Sequence, residues 1–145
     1  MSSEEFVATR GEGATLNGEP IRVAADGDKL ELVGLEAAEP GQALPAIESL
    51  AGEVYRLRVV GSIAISAAYV AAGRFDAMLS LRPCRSVDAA AAQLIVREAG
   101  GAIAFGDLAL GEAGLGLDAR YPIAAARSEH GLSIAREAQR ASEMV

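Results

Sequence analysis

At 145 residues the chain has room for one domain with a substantial core, and a net charge of −7 without a basic cluster argues against nucleic acid and anionic membrane surfaces as its partners. Hydrophobic residues make up 51% of the sequence, but many are alanine, with no Trp, three Phe and three Tyr, which suits helices lying close against a sheet. The lone Cys84 excludes an intrachain disulfide and a four-cysteine zinc site and points to a reduced, cytoplasmic setting. The opening MSSEEFVATR lacks the cationic and apolar stretches of a secretory signal, and no apolar run reaches the roughly 18 residues that would span a bilayer.

In chain order, Glu5 to Ala8 reads as a strand. Asn17-Gly18 is a tight-turn signal between two short extended runs. The glycines of GEGATLNG match neither the dinucleotide nor the Walker spacing, and no helix follows them, so they read as structural turns. Asp26-Gly27-Asp28 is a further turn, Leu30 to Leu35 a strand, Glu36 to Gln42 a polar link and Ala43 to Leu50 a short helix. Val54 to Val60 alternates apolar and basic residues, as a half-buried strand does. Gly61-Ser62 opens a helix that is apolar nearly all round and therefore lies between layers; Gly73 closes it.

Phe75 to Leu81 is a strand, and Arg82 to Arg85 leads into a helix with Ser86 as N-cap, closed by Gly100-Gly101. Ala102 to Phe105 and Pro122 to Ala126 are strands, Leu108 to Arg120 is a glycine-rich loop, and Ser128 caps a last helix running to about Ser142. Strands alternate with helices, so the class is α/β: a mixed sheet flanked by helices, in a single domain over residues 1–145.

Two features carry chemistry. A strand, Gly61-Ser62 and then a helix place free backbone N–H groups at a helix N-terminus, which is either an anion site or a plain turn capped by Ser62. Asp88 falls in the first turn of its helix, where the dipole favours an acid by about 0.3–1 kcal/mol. Yet it lies between Ile95 and the Ala92–Val96 side, on the apolar stripe, where a carboxylate needs a cation, a donor cluster or a metal. Arg58, Arg82 and Arg85 could line an anion site or act as surface charge and partners for Asp88. Ser62 is no hydrolytic nucleophile, because the one histidine, His130, stands alone in the last helix.

The stretch Arg58-x-x-Gly61-Ser62, Ala68 to Ala77, Asp88 to Ala91 and Ile95 to Gly101 resembles the C-terminal half of the inositol monophosphatase and fructose-1,6-bisphosphatase superfamily, and the earlier Gly-x-Gly-Ala-x-x-Asn-Gly-x-Pro-Ile run is similar as well. The resemblance implies a C-terminal lobe of mixed sheet between helical layers. It also implies a phosphorylated polyol or sugar as ligand, held through Gly61, Ser62 and Arg85, and Mg²⁺ held by Asp88. The departures are as telling. The family's Asp-Pro-apolar-Asp-Gly-Thr motif and upstream glutamates do not occur in this sequence, so the resemblance leads to the expectation that it lacks the family's N-terminal metal-binding lobe. Val87 stands where Trp or Thr is usual, Ala92 where Gly is, Ile63 where Ala is, and Leu81 or Ser80 where an acid is expected. Catalysis by metal-activated water needs several carboxylates, so this chain alone is expected to be inactive, or to be a non-catalytic phosphate-binding or dimerisation module. The face left by a missing lobe should be apolar and should drive formation of a homodimer or larger assembly.

Overall fold

The computed structural model describes residues 3–114 and 116–144. β1 (Phe6–Thr9), β2 (Gly13–Leu16) and β3 (Glu19–Ile21) form an antiparallel meander. Its second turn is Asn17-Gly18, both with positive φ (50° and 81°), as the primed turns that match strand twist require. Glu98 fixes the first turn from outside by accepting the N–H groups of Gly11 (2.7 Å) and Gly13 (3.0 Å), which hold its carboxyl below the ordinary glutamate range.

The main sheet contains β4 (Leu30–Glu36), β5 (Val54–Arg58), β6 (Ala77–Ser80), β8 (Ala102–Phe105) and β10 (Ile123–Ala126) in the order β5-β4-β6-β10-β8. β4 runs parallel to both neighbours, with Leu32 opposite Arg56 and Gly34 opposite Met78. β10 runs antiparallel to β6 and β8. A two-stranded ribbon joins β7 (Cys84–Arg85) to β9 (Arg120–Tyr121). Ile123 and Ala125 of β10 face one core and Ala124 and Ala126 the other, so the sheet is buried on both faces.

The helices α1 (Pro40–Leu50) and α4 (Glu129–Glu143) cover one face, and α2 (Ile63–Ala71) and α3 (Ser86–Glu98) cover the other. The meander lies on α3, so the α2–α3 pair sits between two sheets. α2 is packed on all sides beyond its first turn; within that turn Ala64 and Ile65 are exposed and border an apolar groove of about 380 Å³ with Phe6, Tyr69 and Ile95.

The sequence-based elements differ from this structure mainly at their ends. α1 starts at Pro40, inside the expected link, because proline's fixed φ and missing N–H suit the first helical turn. β5 stops at Arg58 and β6 starts at Ala77. The Leu108–Arg120 loop contains a 3₁₀ turn, Leu110–Glu112, and its Arg120 enters β9, while Leu115 lies outside the described residues.

Close approach explains Gly101, between α3 and β8. A Cβ there would meet Val96 Cγ1 at 2.8 Å and the Ala126 carbonyl oxygen at 2.9 Å. The carbonyl belongs to a central strand and cannot move aside. Gly101→Ala is therefore expected to cost about 1–3 kcal/mol, the range for overpacking, in a urea melt monitored by circular dichroism. An unchanged midpoint would mean that the turn relaxes freely.

Candidate functional site

Parallel strands offer a crevice beyond their carboxyl ends where successive crossovers leave for opposite faces. Here β4 leads into α1 on one face, and β5 leads into α2 on the other. The crevice is a cavity of about 390 Å³ lined by Glu36, Ala37, Gly61, Ser62, Ile63, Ala64 and Asp88. Glu36 is the last residue of β4, Gly61-Ser62 follows β5, and Asp88 comes from the first turn of α3. The structure thus brings together three of the residues singled out by sequence: Gly61, Ser62 and Asp88.

Ser62 caps α2, its Oγ accepting the Ile65 N–H at 3.2 Å. Gly61 has φ +83°, a conformation glycine adopts without steric cost, and this turns the chain from strand to helix. Its N–H points into β4, toward a residue that sequence reasoning treated only as the start of a polar link. Glu36 is 1% exposed, and its carboxylate accepts three hydrogen bonds: Val60 N–H at 2.9 Å, Gly61 N–H at 2.8 Å and Ser66 O–H at 2.6 Å. The donor expected to meet an external anion is therefore engaged by an internal one. The next residue, Ala37, carries φ +51°, a left-handed conformation that is costly for a non-glycine residue and that tends to mark ligand sites. A usable signal was present in the sequence: an acid ending an apolar strand, ahead of a Gly-Ser turn.

Asp88 lies at the lip of the cavity rather than in the apolar core. Its side chain is 38% exposed, and its two oxygens accept from Arg85 Nε (3.1 Å) and Nη2 (3.3 Å). The stripe position is real, since Ala89, Ala92, Ile95 and Val96 are buried, but Asp88 stands at its open end. The expectation of a carboxylate shielded from water is corrected accordingly. Arg85 sits beside the cavity as the partner of Asp88, whose carboxylate raises the pKa of the guanidinium. Burial, with the Asp88 charge added, pushes the nearby Cys84 thiol above its ordinary value.

Ser86 is not the N-cap. Arg85 holds that position in extended conformation, because it is paired in the β7–β9 ribbon, and Ser86 begins the helix, its hydroxyl donating to the Gly116 carbonyl at 2.7 Å. Arg58 lies elsewhere, on a separate cavity of about 290 Å³ with Arg56, Arg74 and Arg127. Arg82 reaches Glu39 at 2.6 Å on the surface, and His130 is exposed on α4.

Mg²⁺ takes about six oxygen ligands in near-octahedral geometry. The cavity has two carboxylates. Glu36 already accepts three hydrogen bonds and Asp88 accepts from Arg85. Among the described residues there is no cluster of three or more His, Cys, Asp or Glu able to hold a metal. These residues do not by themselves form a magnesium site.

The chain is thus an α/β protein with a mixed sheet between helical layers, and a Gly-Ser turn and a helix-borne aspartate share one crevice at the carboxyl ends of its parallel strands. The sequence profile of the Inositol monophosphatase family matches residues 1–143, and the chain belongs to that family. The "Fructose-1,6-bisphosphatase/inositol-1-monophosphatase" of Methanothermobacter thermautotrophicus is 39% identical over 99 residues, covering 68% of this chain and 35% of the relative. Nus factor SuhB of Escherichia coli K12 is 40% identical over 112 residues, covering 71% of this chain and 40% of the relative.

Among solved structures, an inositol monophosphatase of Thermotoga maritima superposes with a TM-score of 0.75 at 29% identity, covering 96% of this chain and 54% of that one. An inositol monophosphatase–fructose 1,6-bisphosphatase superposes at 0.78 and 29%, covering 93% and 52%. The chain thus spans about half the length of its solved relatives. Among the described residues no helix is long and apolar enough to cross a membrane.

Proposed function

We propose that this chain provides one half of an inositol-monophosphatase-type site for a phosphorylated polyol or sugar. In this reading it is the C-terminal lobe and does not hydrolyse phosphate esters by itself. The observation that carries the proposal is the single cavity shared by Gly61, Ser62 and Asp88, in which Asp88 is the one carboxylate exposed enough to meet a ligand. Arg85 holds Asp88 in place and is within reach of a phosphate at the cavity lip, as a guanidinium suits. Activating water for in-line attack on phosphorus requires further carboxylates around Mg²⁺, and in this reading they come from a second polypeptide segment. Asp88 would be this chain's ligand to such an ion, in exchange for its bonds to Arg85.

A second reading, a non-catalytic binding or dimerisation module, draws on the hydrogen bonds of Glu36. They occupy the Gly61 N–H, the donor that an external anion would otherwise meet. A phosphatase assay with Mg²⁺ and inositol phosphate separates the two. The chain alone is expected to give no turnover, and adding the portion of the Thermotoga maritima relative that it does not match is expected to restore activity that Asp88→Asn abolishes. Sugar-phosphate binding that is independent of Mg²⁺ and insensitive to Asp88→Asn would favour the module.

A further inference from the structure

Arg58, a candidate anion ligand by sequence, lies away from the Gly61-Ser62 turn, in a second cavity of about 290 Å³ that shares no lining residue with the first. The two cavities belong to opposite ends of α2. Gly61-Ser62 precede the helix, whereas Gly73, which lines the second cavity, follows it. Four of the chain's thirteen Lys and Arg residues, Arg56, Arg58, Arg74 and Arg127, line this one cavity of a protein whose net charge is −7. β5 supplies two of them by alternation. In register Arg56 lies opposite Leu32 and Arg58 opposite Gly34, so both stand on the sheet face that α2 covers. Residues two apart on a strand are roughly 6.6 Å apart, a gap across which two guanidinium groups can hold one oxyanion.

The four cations are not equivalent. Arg127 is committed to the Asp76 carboxylate and to the Gly73 and Phe75 carbonyls, and Arg74 is held by both oxygens of Glu4. Arg58 has no acid. Its Nη1 donates to the Leu57 carbonyl at 3.0 Å, and among the described residues its Nε and Nη2 meet no acceptor. Arg56 is paired with Glu31, but both side chains of that pair are more than half exposed, and such a pair opens at little cost. We propose that this cavity is a second anion site, which takes the phosphate dianion of a small molecule between Arg58 and Arg56. The two positive charges match a dianion, and guanidinium donors match its oxygens. Glu31 is the internal competitor, the carboxylate that holds Arg56 until phosphate displaces it. The volume lies at the lower end of the range of about 300–1,000 Å³ for small-molecule sites, and the acidic surroundings disfavour a long polyanion. The inference stands apart from the phosphatase reading, since no residue of the Gly61-Ser62-Asp88 cavity takes part.

The test is a nuclear magnetic resonance titration of the nitrogen-15-labelled full chain, first with inorganic phosphate and then with glycerol phosphate. Chloride at about 0.1 M screens unspecific attraction beyond about 10 Å. Saturable shifts are expected at the amides of Arg56, Arg58 and Gly73 and at the Arg58 Nε–H. Arg58→Gln is expected to weaken binding about tenfold or more, as loss of a charge-assisted bond does. Glu31→Gln is expected to tighten it about threefold, the scale of an exposed ion pair. Arg82→Gln makes the same change in net charge as Arg58→Gln but lines neither cavity, and is expected to leave the affinity unchanged. Tighter binding of glycerol phosphate than of inorganic phosphate identifies an esterified phosphate as the ligand, and equal or weaker binding identifies free phosphate. The shift map of the unaltered chain decides the location even where a variant does not fold. Absence of saturation at tens of millimolar phosphate, shifts confined to Gly61, Ser62 and Asp88, an affinity unmoved by both Arg58→Gln and Glu31→Gln, or an equal loss from Arg82→Gln would each overturn the proposal.

Discussion

Glu36→Ala is expected to lose about 2–4 kcal/mol of stability and to loosen the entrance to α2. The carboxylate is 1% exposed and is the acceptor for the Val60 N–H, the Gly61 N–H and the Ser66 O–H. Alanine cannot accept any of these bonds. A buried donor left without an acceptor costs about 1–3 kcal/mol. Ser66 is fully buried and bears that full penalty, whereas Val60 and Gly61 are exposed enough for water to replace part of their loss.

Glu36→Gln separates hydrogen bonding from shape. Its amide oxygen can still accept from Val60 and Ser66, but its NH₂ faces the Gly61 N–H, donor against donor. The loss is expected to fall to about 1–2 kcal/mol, close to that of a single hydrogen bond to a charged group. Urea melts give the stabilities, and hydrogen exchange of the Val60 and Gly61 amides locates the effect. Equal stability of the alanine variant and the wild type, with unchanged exchange at these amides, would show that the turn holds its shape without Glu36. The same residue bears on function. With the Gly61 N–H committed to an internal carboxylate, a phosphate entering the cavity must approach through Ser62, Arg85 or a bridging cation.

What the sequence could and could not tell follows from the reach of each interaction. Asn17-Gly18, the Ser62 and Ser128 caps and strand Ala102–Phe105 depend on neighbours a few residues apart, and all are where local patterns put them. Ser86 looked like a cap by the same local logic. It was displaced by a pairing 35 residues away, Arg85 with Arg120, which no local pattern encodes. The role of Glu36 depends on β4 and β5 being adjacent and parallel, a fact of sheet order. The stripe position of Asp88 was read correctly from helical periodicity. Its exposure was not, because periodicity tells which side of a helix a residue occupies and not where the covering layer ends. The family resemblance implies ligand roles for Gly61, Ser62, Arg85 and Asp88, and Gly61, Ser62 and Asp88 line one cavity, yet the resemblance is silent on Glu36, the acid that binds the Gly-Ser turn.

The buried pair of Asp76 and Arg127 should be the most costly single contact to break. Asp76 precedes β6 and Arg127 follows β10, and their side chains are 5% and 14% exposed. One oxygen of Asp76 lies 3.0 Å from Arg127 Nη1, and the other accepts the Leu32 N–H of β4 at 2.7 Å. Arg127 in turn donates to the Gly73 carbonyl at 2.6 Å and the Phe75 carbonyl at 3.3 Å, closing the end of α2 against the sheet. Main-chain bonds run in parallel, from Asp76 N–H to Leu32 and from Arg127 N–H to Asp76, both at 2.9 Å. Three strands and a helix end thus meet at one ion pair.

Asp76→Ala leaves the guanidinium buried without a counter-charge and the Leu32 N–H without its side-chain acceptor, and is expected to cost about 3–5 kcal/mol. The double variant Asp76→Ala, Arg127→Met removes both charges and keeps an apolar chain of similar length. It should regain a large part of that loss, since a buried pair owes much of its apparent strength to the penalty of orphaning one partner. A double-mutant cycle read by urea denaturation measures the coupling. Additive losses would place the two charges in water-accessible surroundings, contrary to their burial. A double variant as stable as the wild type would identify the pair as a device for fixing strand register at the end of α2 rather than a source of net stability.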